Sequence, residues 1–209
     1  MKGNNLPVKM FLAILLAILL TSVHPANAQT LPKIVLIDHL TVNSVGQTFN
    51  ASIYLNLTAG TNITNLKGWE IKMSYNTTVL DCLSAQLLPG HPLEGLSIMN
   101  PAPTIDETAG TVLYMCITVQ MNDCVNLTTT KPLCNILFNG TAVGTSPLTF
   151  IGLNATGGTY MINKDGLKIS FEAVSGDATV IPEFALPLLI TLFVATATIA
   201  CAARKKRWN

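Results

Sequence analysis

Charged residues are scarce in this 209-residue chain: they make up 11% of it, against about 25% in an ordinary soluble domain. The 12 basic and 11 acidic residues give a formal net charge of +1 and a pI of about 7.6. Domains that bind nucleic acid usually show a basic surface and a pI above about 9, and disordered chains combine high net charge with low hydrophobicity. The chain is 49% hydrophobic, with a mean hydropathy of +0.46, so it fits neither class.

Residues and motifs that mark catalytic sites are also rare. Only His39 and His91 lie beyond residue 28 among the three histidines, and neither belongs to a zinc-binding H-E-x-x-H motif. The sequence has no G-x-S-x-G motif and no phosphate-binding loop. A glycosidase needs two carboxyl groups about 5 to 9.5 Å apart, but Asp106 and Glu107 lie in a predicted loop, where we expect them to be solvated. We therefore predict no catalytic residue, no cofactor, no metal and no enzymatic activity.

The first apolar segment is too short to cross a membrane. Residues 10–20 form an uncharged apolar run that follows two lysines, whereas a bilayer core of about 30 Å needs about 20 helical residues. The small residues of an A-x-A motif follow and end at Ala28, as in signal-peptidase sites. The pattern predicts a signal peptide over residues 1–28, cleaved between Ala28 and Gln29. An uncleaved anchor is the alternative.

The second long apolar segment has the length of a membrane span. Residues 184–203 carry no charge, and about 20 helical residues reach about 30 Å. We predict a transmembrane helix there and a basic cytoplasmic tail over residues 204–209. Cys201 would be a small apolar residue of this helix, with lipidation as the alternative. Four consecutive cations form the stop-transfer signal: Arg204, Lys205, Lys206 and Arg207.

Alternation of apolar and polar residues dominates the segment between these ends, residues 29–183. This segment holds six lysines, no arginine and all eleven acidic residues, a formal net charge of −5. Residues 49–58 and 69–76 alternate with a period of two, which is typical of a strand with one buried face. Residues 111–119 are apolar on both faces and rich in β-branched side chains, which predicts a central strand. Further strands are predicted at residues 33–38, 133–138, 148–153, 167–172 and 174–180.

Glycine-containing turns separate these predicted strands. They are Ala59-Gly60, Pro89-Gly90, Ala109-Gly110, Gly157-Gly158 and Lys164-Asp165-Gly166. Many short strands at regular spacing predict an all-β sandwich or barrel over residues 29–180, without a second domain.

Four of the five cysteines lie in this segment, and an even number in an oxidising compartment predicts two disulfides. Of the three possible pairings we favour Cys82 with Cys116 and Cys124 with Cys134. The second closes a short loop between consecutive strands, and the first ties the end of one strand to the central one. A zinc site is the alternative, but the sequence has no C-x-x-C pair and no histidine nearby.

Acceptor sequences for N-glycosylation are about three times as frequent as the Asn, Ser and Thr content of residues 29–183 predicts by chance. The seven acceptors are Asn50, Asn56, Asn62, Asn76, Asn126, Asn139 and Asn154. Asn50, Asn56 and Asn76 fall on the polar faces of their predicted strands. The alternative is that a Thr- and Asn-rich strand surface produces these motifs without modification.

Several segments together resemble a cohesin domain. Gly46-Gln47-Thr48-Phe49 enters an alternating strand, and residues 65–80 (NLKGWEIKMSYNTTVL) match a strand that ends in Y-x-x-x-x-L. Residues 110–113, 133–138, 144–148 and 176–180 resemble the later strands. The resemblance implies a jelly-roll β-sandwich of about nine strands, related to carbohydrate-binding modules. It also implies a dockerin-like protein as partner, although many archaeal cohesin-like surface proteins have no known dockerin, and it assigns no contact residues.

The tripeptide Pro182-Glu183-Phe184, directly before the predicted span, resembles the PEF-type sorting tails of archaeal surface proteins. The resemblance implies a sorting motif over residues 181–183, cleavage by a membrane transpeptidase and re-anchoring to lipid. Ala185 departs from the proline often found after the phenylalanine. A retained membrane anchor is the alternative.

The sequence thus predicts a non-catalytic, cell-surface module of archaeal type, anchored by a C-terminal span with the domain outside. It would recognise a protein through one face of its sandwich. The alternative is a carbohydrate-binding or envelope-structural domain that contacts polysaccharide. Trp69 is expected in the core, which leaves Tyr54 and Tyr160 as the aromatic residues for a sugar platform. Nucleic acid is not an expected partner.

Overall fold

The structure is a computed structural model that describes residues 30–36, 40–58 and 61–183. The predicted signal peptide over residues 1–28, the span over residues 184–203 and the tail over residues 204–209 lie outside the described residues. Within the described ranges, no helix has the length and the apolar character that a membrane crossing requires.

All regular secondary structure in the described ranges is β-strand. The fifteen strands are β1 (Lys33–Leu36), β2 (Leu40–Val42), β3 (Thr48–Asn56), β4 (Ile63–Ser74), β5 (Leu80–Leu87), β6 (Ile98–Met99), β7 (Thr104–Asp106), β8 (Thr111–Thr118), β9 (Val125–Leu127), β10 (Lys131–Gly140), β11 (Gly144–Phe150), β12 (Tyr160–Asn163), β13 (Lys168–Ile169), β14 (Glu172–Val174) and β15 (Gly176–Val180).

The strands form two sheets. The first sheet has five strands in the order β14-β1-β3-β10-β5. The second sheet has ten strands, with the path β13-β12-β4-β11-β15-β2; β8 and β9 also pair with β4, and β6 and β7 pair with β8. The predicted all-β sandwich is confirmed. Nine of the strands have four or more residues, and six additional segments of two or three residues raise the total above the predicted number.

Alternating side chains from both sheets fill the space between them. Ala51, Ile53 and Leu55 of β3 are fully buried, as are Ile71 and Met73 of β4. Burial of apolar surface is the main stabilising contribution to such a sandwich, at about 25 cal/mol per Å². The period-two patterns of the sequence therefore correctly identify the inward faces of both strands.

Aromatic side chains contact one another at two places in the core, and the contact between Phe138 and Tyr75 runs from one sheet to the other. Trp69 of β4 is 2% exposed and contacts Tyr114 of β8 edge-to-face, with ring centroids 5.9 Å apart. Phe138 of β10 stacks on Phe49 at 5.7 Å and meets Tyr75 edge-to-face at 5.2 Å. The expected core position of Trp69 is confirmed.

The turn at Ala109-Gly110 requires glycine for two reasons. Gly110 has a φ of 61°, a region that side chains other than glycine rarely adopt. A β-carbon at this position would also lie 2.4 Å from the Tyr75 carbonyl oxygen. The close approach lets the Tyr75 amide donate a 2.8 Å hydrogen bond to the Gly110 carbonyl, which joins the end of β4 to the start of β8.

Substitution of Phe138 tests the direction in which β10 faces. Phe138→Ala should lower the free energy of unfolding by about 3 to 5 kcal/mol, because it opens a cavity next to Phe49 and Tyr75. Leu137 is the next residue and faces outward in a half-buried position, so Leu137→Ala should lose about 1 kcal/mol or less. Urea denaturation of the two variants and the wild type measures both values. Equal losses would contradict the register of this strand.

Candidate functional site

The outer surface of the second sheet is apolar along β8. Val112, Tyr114 and Cys116 point into the core, so the alternating residues Leu113, Met115 and Ile117 point outward. These three side chains are only half-buried, and they are absent from both the buried core and the partly buried residues packed against it. They therefore form an apolar stripe outside the core that the described residues cover only in part.

Neighbouring strands widen this stripe, because paired residues share a face of the sheet. Met99 of β6 pairs with Ile117 and is 52% exposed. Ile162 of β12 pairs with Gly68 of β4, which in turn pairs with Ile117. We call the combined surface the apolar face; it consists of Met99, Leu113, Met115, Ile117, Tyr160 and Ile162. Just beyond the end of β8, Val119 is 63% exposed and Met121 81% exposed.

Gly68 determines how closely Ile117 can pack on β4. A β-carbon at Gly68 would lie 2.9 Å from Ile117 Cγ1 and 3.0 Å from the Cys116 carbonyl oxygen. Such contacts are too close to be tolerated without a shift of β8. The absent side chain therefore lets Ile117 lie directly over β4 and keeps the centre of the apolar face flat.

A nearly buried carboxylate lies beside the centre of the apolar face. Glu70 of β4 is 7% exposed and pairs with Tyr160 on one side and Met115 on the other. The Tyr160 hydroxyl donates a 3.3 Å hydrogen bond to Glu70 Oε2. Glu70 Oε1 is buried and makes no hydrogen bond with a described residue. An unsatisfied acceptor in an apolar surrounding is costly unless a partner supplies a donor.

Burial raises the pKa of the Glu70 carboxyl above its ordinary value, because the charged form is poorly solvated there. The Tyr160 hydroxyl, the Gly157 backbone and the positive charge of Lys72 act in the opposite direction, but their combined effect is smaller.

Lysines surround the apolar face. Lys72 of β4 pairs with Leu113. Lys67 Nζ donates a 3.4 Å hydrogen bond to the Met121 carbonyl, and Lys168 Nζ lies 5.7 Å from the centre of the Tyr160 ring. An apolar centre with a polar rim is typical of protein–protein interfaces. Among the described residues, no group of three His, Cys, Asp or Glu side chains could hold a metal ion.

The four cysteines of the sandwich are free thiols, so the predicted disulfides are not observed. Cys82 of β5 pairs with Phe138, whose ring contacts Tyr75, whereas Cys116 pairs with Trp69. Tyr75 directly follows β4 and lies six residues after Trp69, which corresponds to about 20 Å at the usual rise per residue. Because a disulfide needs Cα atoms about 4.4 to 6.8 Å apart, Cys82 and Cys116 belong to different ends of the core.

The other residues singled out in the sequence are dispersed over the domain. Asp106 and Glu107 are exposed at a turn, where Asp106 Oδ1 accepts a 2.9 Å hydrogen bond from the Ala109 amide. His91 is buried in the loop after β5, and His39 lies outside the described residues. Tyr54 and Tyr160 are half-buried on different sheets, so they do not form one aromatic platform.

The apolar face was not predicted as a site. The sequence feature that corresponds to it is the segment at residues 111–119, whose apolar residues on both faces predict a central strand. β8 is central, between β4 and the short strands β6 and β7, but one of its two apolar faces has no covering layer among the described residues. The sorting motif is placed only in part: Pro182 and Glu183 are exposed after β15, and Phe184 lies outside the described residues.

Thiol labelling tests the cysteine assignments. Burial raises the pKa of Cys82 to about 12 and that of Cys116 to about 11, and it also raises the pKa of Cys134. Because alkylation requires the thiolate, iodoacetamide should label only the half-buried Cys124 in the folded domain. After unfolding without a reductant, peptide mapping should find all four labelled. Any pair that stays unlabelled until reduction would demonstrate a disulfide.

Stability as a function of pH tests the burial of Glu70. Burial raises the pKa of the Glu70 carboxyl in the folded state. The free energy of unfolding therefore decreases as the pH rises and Glu70 becomes ionised. Glu70→Gln should therefore increase the free energy of unfolding at about pH 8 more than at about pH 4. Tyr160→Phe removes the donor to the carboxylate and should be more destabilising at the higher pH. A gain from Glu70→Gln that is equal at both pH values would contradict this assignment.

The fold is that of solved cohesin domains. No family model matches the sequence, and no curated protein matches it. A chain from a type II cohesin–X–dockerin complex of Acetivibrio cellulolyticus matches with a TM-score of 0.57 and 17% identity, over 71% of this chain and 99% of that one. A chain from a type I cohesin–dockerin complex of Clostridium thermocellum gives 0.56 and 9%, over 76% and 99%.

An archaeal structure belongs to the same group. The non-cellulosomal cohesin of the hyperthermophilic archaeon Archaeoglobus fulgidus matches with a TM-score of 0.52 and 12% identity, over 74% of this chain and 94% of that one. Identities of this size show the fold alone. The sandwich of this chain is therefore cohesin-like in architecture, and the cohesin fold implied by the sequence resemblance is confirmed.

Proposed function

We propose that this chain is a non-catalytic, cell-surface module that recognises a dockerin-like helical protein through its apolar face. The observation that carries the proposal is the stripe Leu113, Met115 and Ile117, which faces outward from a central strand, is only half-buried and lies outside the core cluster. Contiguous apolar surface of this kind commonly marks a site of protein–protein interaction.

The composition of the apolar face favours a protein partner over a sugar. Met99, Met115 and Ile117 provide adaptable aliphatic surface that can fit the ridge of a helix. Sugar-binding surfaces usually present several flat aromatic rings, and Tyr160 is the single aromatic residue of this face. Two of the similar solved structures are complexes of cohesins with dockerins, which supports a helical partner of that class.

Glu70 and the surrounding lysines supply the polar part of the proposed contact. A partner that donates a hydrogen bond to Glu70 Oε1 would satisfy the buried acceptor in a dry environment, where such a bond contributes most. Lys67, Lys72 and Lys168 would face the edge of the partner, where charges affect the rate of association more than the affinity.

The surface location rests on the sequence signals at the two ends of the chain. The last strand ends at Val180, and the Ile181 amide donates a 2.9 Å hydrogen bond to the Val42 carbonyl. Only Pro182 and Glu183 then separate the sandwich from the uncharged segment over residues 184–203. A short connection of this kind would hold the domain close to the external surface of the membrane, before or after processing at the sorting motif.

Paired substitutions on the two outer faces test the proposal. Leu113→Thr with Met115→Thr should abolish capture of the partner, because it removes apolar contact area while keeping residues that favour strands. Leu83→Thr with Leu137→Thr makes an equivalent change on the outer face of the first sheet and should leave capture unchanged. The immobilised full chain and both variants are incubated with the secreted proteins of the source cell, and bound proteins are identified by mass spectrometry.

The identity of the captured protein decides between the alternatives. A protein with a dockerin-like pair of helices, lost only with the apolar-face variant, is the expected result. Equal loss with both variants, or retention by both, would contradict docking at the apolar face. Binding of the chain to cell-wall polysaccharide, with no protein captured, would favour the carbohydrate-binding alternative.

A further inference from the structure

Three glycosylation acceptors lie on the outer face of the first sheet. Asn50 and Asn56 of β3 both point away from the core, because the intervening Ala51, Ile53 and Leu55 point inward. Asn139 of β10 lies on the same outer face. Asn50 and Asn56 are six residues apart, which corresponds to about 20 Å along the strand. Sugars at both would cover most of the length of this face.

The three acceptors differ in accessibility. Asn50 is exposed, and Asn56 is half-buried with its Oδ1 accepting a 3.1 Å hydrogen bond from the Thr130 hydroxyl. Asn139 is half-buried, and its Oδ1 is buried without a partner among the described residues. Its neighbour across the strand pair is Asp81. A bulky sugar therefore fits at Asn50 and Asn56, whereas Asn139 is poorly placed to accept one.

The polar character of this face suits an attached sugar. Ser52, between the two acceptors, donates a 2.6 Å hydrogen bond to Asn135 Oδ1. At the edge of the sheet, Lys33 and Glu172 form a 2.9 Å ion pair. Leu83 is 44% exposed and Leu137 is half-buried, and these leucines supply only scattered apolar surface. Such a surface can be covered by hydrated carbohydrate without loss of a docking site.

The apolar face contains no acceptor. The outward residues of β4 and β8 there are Gly68, Glu70, Lys72, Ser74, Thr111, Leu113, Met115 and Ile117. Asn62, Asn76 and Asn154 lie outside the strands, whereas Asn126 is the exposed central residue of β9, which pairs with β4 in the second sheet. Asn126 thus lies within the second sheet, next to the start of β4, and its Oδ1 accepts a 2.8 Å hydrogen bond from the Asn65 amide.

We propose that N-linked oligosaccharides at Asn50 and Asn56 cover the outer face of the first sheet and close it to protein partners, while the apolar face stays free. In the modification, the asparagine Nδ2 forms a bond to the anomeric carbon of a lipid-phosphate-linked oligosaccharide. The bond from that carbon to the phosphate oxygen breaks, the lipid phosphate leaves, and the amide gives up a proton. The sugar placement is independent of the partner; the statement that the free face docks a protein rests on the proposed function.

Glycopeptide mass spectrometry of the full chain, produced in a cell that carries out N-glycosylation, tests the sugar placement. We expect sugars at Asn50 and Asn56 and an unmodified Asn139. The proposal is overturned if Asn50 and Asn56 are unmodified, or if Asn139 is occupied as fully as they are. This measurement needs no partner, so its outcome does not depend on the proposed function.

An added sugar tests the second half of the proposal. Asp106 of β7 pairs with Thr111, two residues before Leu113, and Asp106→Asn creates an acceptor with Thr108. The glycosylated form of this variant should lose capture of the partner by steric exclusion. The control Asp106→Asn with Thr108→Val has the same asparagine without an acceptor motif and should keep capture. Asn50→Gln with Asn56→Gln should also keep it.

The two hypotheses fail in different ways. Capture that survives a confirmed sugar on Asp106→Asn would contradict docking at the apolar face and leave the sugars of the first sheet in place. Loss of capture when Asn50 and Asn56 are replaced would overturn the proposal that the first sheet is closed to protein partners. It would show that the first sheet takes part in binding.

Discussion

The pairing of β4 with β8 fixes the positions of the residues at the centre of the proposed site. Seven consecutive pairs join the strands, from Gly68 with Ile117 to Ser74 with Thr111. Because side chains alternate, a slip of one residue would turn Trp69 out of the core and bring Glu70 into it. The aromatic contacts of the core and the composition of the apolar face are therefore two consequences of one register, and a change that weakens the first also disturbs the second.

The two outer faces of the sandwich differ in polarity. An exposed apolar surface favours association, which a recognition module needs on one side and must avoid on the other. The first sheet is polar outside, through residues such as Ser52, Asn135 and Lys33. The second sheet keeps Leu113, Met115 and Ile117 uncovered. Under the proposed function, this asymmetry leaves one outer face for docking without any change in the core.

Local pattern predicts much of this fold, since the alternation in β3 and β4 identifies the buried faces and the glycine of the Ala109-Gly110 turn marks a real constraint. The apolar face was missed because an apolar residue on a central strand is normally covered, and no local signal distinguishes Met115 from Cys116. The favoured disulfide between Cys82 and Cys116 was inferred from parity and strand order. Neither the number of cysteines nor the order of the strands gives the position of a residue along its strand. That position is what places the two thiols at different ends of the core.

Glu70 links the stability of the domain to its proposed contact. Burial favours the protonated carboxyl, so the free domain holds a charge at Glu70 only against a desolvation penalty. A partner that donates to Oε1 favours the ionised form, and binding then lowers the pKa and releases a proton whenever the group was protonated before. A donor-free partner would leave the penalty in place. Under the proposed function, the carboxylate that weakens the free domain would also discriminate between partners, because only a partner with a correctly placed donor removes the cost.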